Sequence, residues 1–139
     1  MPLGKADYPI AEKHPDRVRG ARGKALSEIT LDAVLAGEVT IEDLRITPEA
    51  LQVQAEIARD AGRPRLADNF LRAADLVGMP QDLVMQAYEL LRPGRARSRG
   101  ELEALASRFR AENGADSIAR FIEEASEVYD RRGLFTKRY

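Results

Sequence analysis

The sequence predicts an all-α fold: a small open helical bundle with short accessory helices and an extended N-terminal arm. Three observations carry that expectation. Between Thr47 and Pro93, two breaks of one form, Gly62-Arg63-Pro64 and Gly78-Met79-Pro80, interrupt otherwise helical sequence. In each, the glycine suits the left-handed residue that ends one helix, and the proline suits the first position of the next, where its missing N–H costs nothing. Apolar residues between the breaks recur at three-and-four spacing. Capping residues stand where helix ends are required.

The three helices of this stretch each carry an apolar stripe. In the first, Leu51, Ala55 and Ala58 form one row and Val53 and Ile57 a second, as in a helix with two neighbours. In the second, Leu66, Phe70, Ala73, Ala74 and Val77 share a face, widened by Ala67 and Leu71. Leu83, Val84, Ala87, Tyr88 and Leu91 mark the third. Connections this short predict that the three pack together. Phe70 is placed in the core, where truncation to alanine is expected to cost roughly 3–5 kcal/mol.

Residues 1–28 show no sustained helical period and hold three prolines and three glycines. They read as an arm whose apolar trio Tyr8-Pro9-Ile10 needs a surface, on this domain or on another chain. The basic residues Arg17, Arg19, Arg22 and Lys24 read as a solvated loop or a patch facing an acidic partner, and His14 as an exposed loop residue. The helical domain spans 29–133. Thr30 caps a short helix, Leu31 to Ala36, closed by Gly37, and Asp43 sits where a capping box beginning at Thr40 requires an acid. Ser98 to Glu101 forms a second such box, opening a helix to about Asn113 with the stripe Leu102, Leu105, Ala106 and Phe109. The last helix, about Ala115 to Arg132, aligns Ile118, Ile122, Ala125 and Tyr129, with Phe121 and Val128 beside them. In the tail, 134–139, Leu134 and Phe135 lie on a segment too short to bury them alone.

A chain of 139 residues suits one domain with a modest core. A net charge of −1, with both signs interleaved, argues against coating nucleic acid or a polybasic membrane role. With no cysteine there is no disulfide or thiolate chemistry, and one histidine leaves little room for a zinc site or a Ser-His pair. No apolar run approaches the roughly 20 residues of a membrane span, so a cytoplasmic protein is expected. No phosphate-binding loop or hydrolase motif is present. Most carboxylates alternate with Arg or Lys, Asp68 and Arg72 forming a helix-surface pair, and Glu123, Glu124 and Glu127 on one helix converge poorly on any cation. No catalytic, cofactor-binding or metal-binding residue is therefore assigned.

The order of landmarks goes further. Asp7-Tyr8-Pro9, Gly23-Lys24-x-Leu26, Ile29-Thr30-Leu31, Val34-Leu35-x-Gly37-Glu38, Asp43-x-Arg45-Ile46 and Gln54-Ala55-x-Ile57-Ala58 follow one another. Asn69-Phe70-x-Arg72-Ala73-Ala74, Tyr88-x-x-Leu91-Arg92-Pro93 and Glu124-Ala125-x-Glu127-Val128-Tyr129 complete the set. From Asp7 to Tyr129 the chain resembles the small subunit of adenosylcobalamin-dependent diol and glycerol dehydratases. The resemblance implies a non-catalytic subunit of a radical lyase that turns a 1,2-diol or glycerol into an aldehyde and water. It also implies large and medium partner subunits in a dimer of heterotrimers, with adenosylcobalamin held by those partners and none by this chain. The role expected here is support for assembly and stability of the large subunit.

Tyr8, Pro9, Ile10, Tyr88, Arg92, Leu134 and Phe135 are the candidate contacts with those partners. Tyr88 and Arg92, one turn apart, suit an interface anchor, though Tyr88 fits the core and Arg92 a helix C-terminus equally well. The chain begins almost at Asp7-Tyr8-Pro9, without the long extension associated with packaging into bacterial microcompartments, and association with one is left open. The rival readings are a free-standing helical adaptor and a bundle that binds nucleic acid through its Arg-rich loops.

Overall fold

A computed structural model describes residues 1–135. It is all-α: seven α-helices and no strand occur among the described residues. They are α1 (Ile10–Lys13), α2 (Leu31–Leu35), α3 (Pro48–Asp60), α4 (Pro64–Leu76), α5 (Gln81–Leu91), α6 (Arg99–Asn113) and α7 (Asp116–Arg131). None is long and apolar enough to cross a membrane. The packing resolves into two compact units, Met1–Val77 and the chain from Gly78 onward. The division falls inside the stretch expected to be a single three-helix centre: α3 packs with α4 in the first unit, and α5 with α6 in the second.

Both predicted breaks are present, with Gly62 at φ 73° and Gly78 at φ 77°. Pro64 occupies the first turn of α4, as expected. Pro80 instead precedes α5 as its cap, with ψ at 132°. In the first unit α3 buries Leu51, Ala55, Ile57 and Ala58, members of both predicted stripes. Facing them, α4 buries only Ala67 and Ala74. The larger residues Leu66, Phe70 and Leu71 pack half-buried against the cluster Ala55, Ala58 and Ala67. The core position expected for Phe70 is thus corrected. Small residues let the two backbones approach, and the ring is left at the edge of the seam.

The arm is not extended. Lys5–Asp7, Pro15–Arg17 and Leu26–Glu28 form 3₁₀ turns and α1 adds a single α-turn, all too short to print a period in the sequence. The Tyr8–Pro9 peptide bond is cis. The arm's surface is this same chain. Leu3 is buried, its N–H donates to Glu56 Oε2 at 2.9 Å, and Lys5 N–H donates to Asp60 Oδ2 at 2.8 Å, both on α3. His14 is half-buried and not loose, its Nε2 lying 2.7 Å from Asp7 Oδ1. Asp7 Oδ2 accepts the Gly4 N–H at 2.8 Å, and this bond first, then the His14 ring, holds the Asp7 carboxyl below the usual aspartate range.

The second unit follows its stripes closely. Leu102, Leu105, Ala106 and Phe109 of α6 are all buried, and so are Ile118 and Ile122 of α7. Ala119 and Ser126 are buried too, whereas Phe121, expected beside the row, is exposed. Ser98 Oγ accepts the Glu101 N–H at 3.3 Å. Glu101 reaches back to the Arg97 N–H, one residue earlier than a capping box requires. Arg110 donates to Asp116 Oδ1 and to both oxygens of Glu123, clamping α6 to α7 near their connection.

Two outcomes test this arrangement. Phe109→Ala should cost about 3–5 kcal/mol in denaturant unfolding, and the half-buried Phe70→Ala clearly less. Equal losses would contradict the marginal position of Phe70. Because Asp7 is depressed in the folded chain, its contribution is complete above the ordinary aspartate value of about 3.9 and fades as pH falls through the lower folded one. Protection of the Gly4 amide, corrected for intrinsic exchange, should fall across that window and be low at every pH in Asp7→Ala, which has no acceptor. Protection that stays constant would remove Asp7 from the anchor.

Candidate subunit interface

Tyr8, Pro9 and Ile10 come together in the wall of one groove of about 670 Å³. Ala50 and Val53 of α3 form its apolar counterpart, and Arg17, Arg19 and Glu49 also line it. Val53, from the second predicted stripe of α3, therefore faces the arm instead of α4. Tyr8 is 55% exposed. The trio is thus half satisfied by its own chain and half open.

The ambiguity at Tyr88 is resolved: the ring is 60% exposed and is not core. Leu83 and Ala87 alone bury α5, and Met85, one turn before Tyr88, is exposed with it. Arg92 pairs with Glu89 at 3.2 Å near the end of the helix. Leu134 and Phe135 behave differently from a tail awaiting a partner. Both are half-buried, Leu134 N–H donates to Tyr129 O at 2.9 Å, and the Phe135 ring lies 6.3 Å from that of Tyr129. The Tyr129 hydroxyl in turn donates to Leu91 O. Residues 136–139 of the expected tail lie outside the described residues.

The most exposed apolar surface lies where the sequence reading assigned no contact. Leu31 is 72% exposed, Leu35 77% and Ile41 70%, and Val34, Leu44 and Ile46 are exposed as well. These residues belong to α2 and to the 3₁₀ turn Ile41–Leu44 and its exit. Both turns are firmly built. Thr30 Oγ1 accepts the Ala33 N–H at 3.2 Å, as its capping role predicts, and Ala33 O accepts the N–H groups of Glu38 and Val39. Asp43, 1% exposed, accepts the Thr40 N–H at 2.9 Å and the Arg22 guanidinium at 3.3 Å through the same oxygen. Its other oxygen, Oδ1, is buried with no partner among the described residues.

The loop that brings Arg22 to Asp43 needs Gly20, since a Cβ there would stand 2.5 Å from the Asp43 carbonyl oxygen. Arg22 and Arg19, read from sequence as solvated cations, are thus partly structural; Arg19 donates to Gly23 O. A signal for this surface was present: Leu31, Val34 and Leu35, at i, i+3 and i+4, share one face of a helix of only five residues, and that face is left exposed.

Two of the three carboxylates weighed as cation ligands, Glu123 and Glu127, are engaged in ion pairs. Hydrogen bonds from Arg110 hold Glu123 below the ordinary glutamate range, and Glu127 lies 3.9 Å from Arg99. Asp68 meets Arg59 of α3 at 3.5 Å, and Arg72 donates to Asn69 Oδ1. No group of His, Asp or Glu suited to a metal ion occurs among the described residues. Chemically, the arrangement offers apolar and charged surface for another macromolecule.

Comparison with known proteins agrees with that character. The family model described as "Dehydratase small subunit" matches residues 3–136. The propanediol dehydratase small subunit of Citrobacter freundii is 48% identical over 126 residues, covering 91% of this chain and 73% of the relative. That of Salmonella typhimurium is 46% identical over 127 residues, with the same coverage. A chain matched from its third residue almost to its end, with its open apolar turns inside the match, belongs to the dehydratase small subunit family and so to a multi-subunit lyase.

Proposed function

We propose that this chain is the small subunit of an adenosylcobalamin-dependent dehydratase acting on propane-1,2-diol or glycerol. In this reading it joins a large and a medium subunit in a dimer of heterotrimers and supports the assembly and stability of the large one. The observation that carries the reading is the exposed apolar segment 31–46, held in shape by internal bonds, in a chain of this family. Both relatives are small subunits of propanediol dehydratase, which supports a diol as substrate.

The groove between the arm and α3 does not fit a corrinoid. Its size suits a drug-sized ligand, and the sole histidine is engaged with Asp7 outside its wall. In this reading the cofactor belongs to the partner subunits, and no step of the reaction is assigned to a side chain of this one. What this chain contributes is surface: apolar area that leaves water on assembly, and charge that selects the partner.

Reconstitution tests the reading. Large and medium subunits supplied with adenosylcobalamin should form aldehyde from diol at least tenfold more slowly, or lose activity sooner on warming, when this chain is omitted. Equal rate and equal lifetime without it would overturn the role.

A further inference from the structure

Segment 31–46 combines two properties that together describe its partner. Leu31, Leu35 and Ile41 are left in water, where each forgoes the favourable burial that an apolar contact would give it. Among them stand the exposed carboxylates Asp32, Glu38 and Glu42, against a single guanidinium, Arg45. Arg45 is already paired with Glu42 at 2.8 Å. Asp32 and Glu38 have no ion pair among the described residues. The surface is thus apolar with an unbalanced acidic border.

Charge decides between two occupants. A second copy of this chain, meeting the first about a two-fold axis, would set the same patch against itself. Asp32 and Glu38 would then face carboxylates, and like charges across an interface disfavour the contact. A different chain with an apolar trough edged by cations covers the leucines and answers the acids together. The segment is also ready for such a contact, since the Thr30 cap and the buried Asp43 fix its backbone beforehand and reduce the ordering cost of binding.

We propose, building on the subunit reading above, that segment 31–46 docks into an apolar trough edged by Arg or Lys side chains on another subunit of the dehydratase. The test measures binding of the full chain to the remaining subunits of its enzyme over a range of salt. Two double variants are compared with the unaltered chain: Leu31→Ala with Leu35→Ala, and Asp32→Asn with Glu38→Gln. The apolar pair should weaken binding at least tenfold while leaving the thermal midpoint of the free chain nearly unchanged. The neutralised pair should slow association several-fold and flatten its salt dependence. If the unaltered chain assembles and both variants assemble as well as it does, the docking face is elsewhere and the subunit role survives. If the unaltered chain ignores those subunits, the role and the docking face fail together. Loss of a homodimer as the main effect of the leucine pair would identify the wrong occupant and overturn the proposal.

Discussion

The contact among Ala55, Ala58 and Ala67 governs the N-terminal unit. Methyl groups there bring α3 and α4 together, and alanine loses no side-chain rotamer freedom on burial. The same economy of volume limits how much apolar area the seam removes from water. Leu66, Phe70 and Leu71 gather at its margin and none is fully covered. With α4 on one side, α3 has another side free, and Glu56 and Asp60 use it to capture the backbone of Leu3 and Lys5. The arm, the groove beside it and the loop that reaches Asp43 all depend on that helix being held in place.

Much of the fold was legible because long helices announce themselves. The stripe of α6 was read residue for residue, and the glycine–proline breaks bounded α3 and α4 within a residue or two. The arm was misread as extended because a 3₁₀ turn of three residues lies below the window in which periodicity can be counted. Phe70 was misplaced for a different reason. Spacing reports which face a residue shares, and does not report how near the facing backbone comes. With alanine opposite alanine, the ring has nowhere inside to go.

The candidate surface was less legible. Tyr8, Pro9 and Ile10 were found because an apolar trio in a polar arm is conspicuous, and they do line a common groove. Leu31, Leu35 and Ile41 are harder to see, because capping residues mark where a short helix begins and do not show which of its side chains a neighbour covers. Leu134 and Phe135, expected to need a partner for burial, are half-buried against Tyr129 of their own chain. The charges divide in a similar way. In the C-terminal unit Arg110 joins Asp116 and Glu123, and Arg99 lies near Glu103, Glu127 and Asp130, so those ions hold helices together. In segment 31–46 Asp32 and Glu38 are exposed and have no ion pair among the described residues.

An apolar border of that kind has a consequence for the cell that makes it. Before assembly, each newly made copy carries leucine and isoleucine side chains in open water, and such surfaces adhere to whatever unfinished protein they meet. An orphan copy is a liability for as long as it stays unassembled. Synthesis in matched amounts with its partner subunits, close in time and place, would shorten that exposure, and the need for it follows from the shape of two short turns.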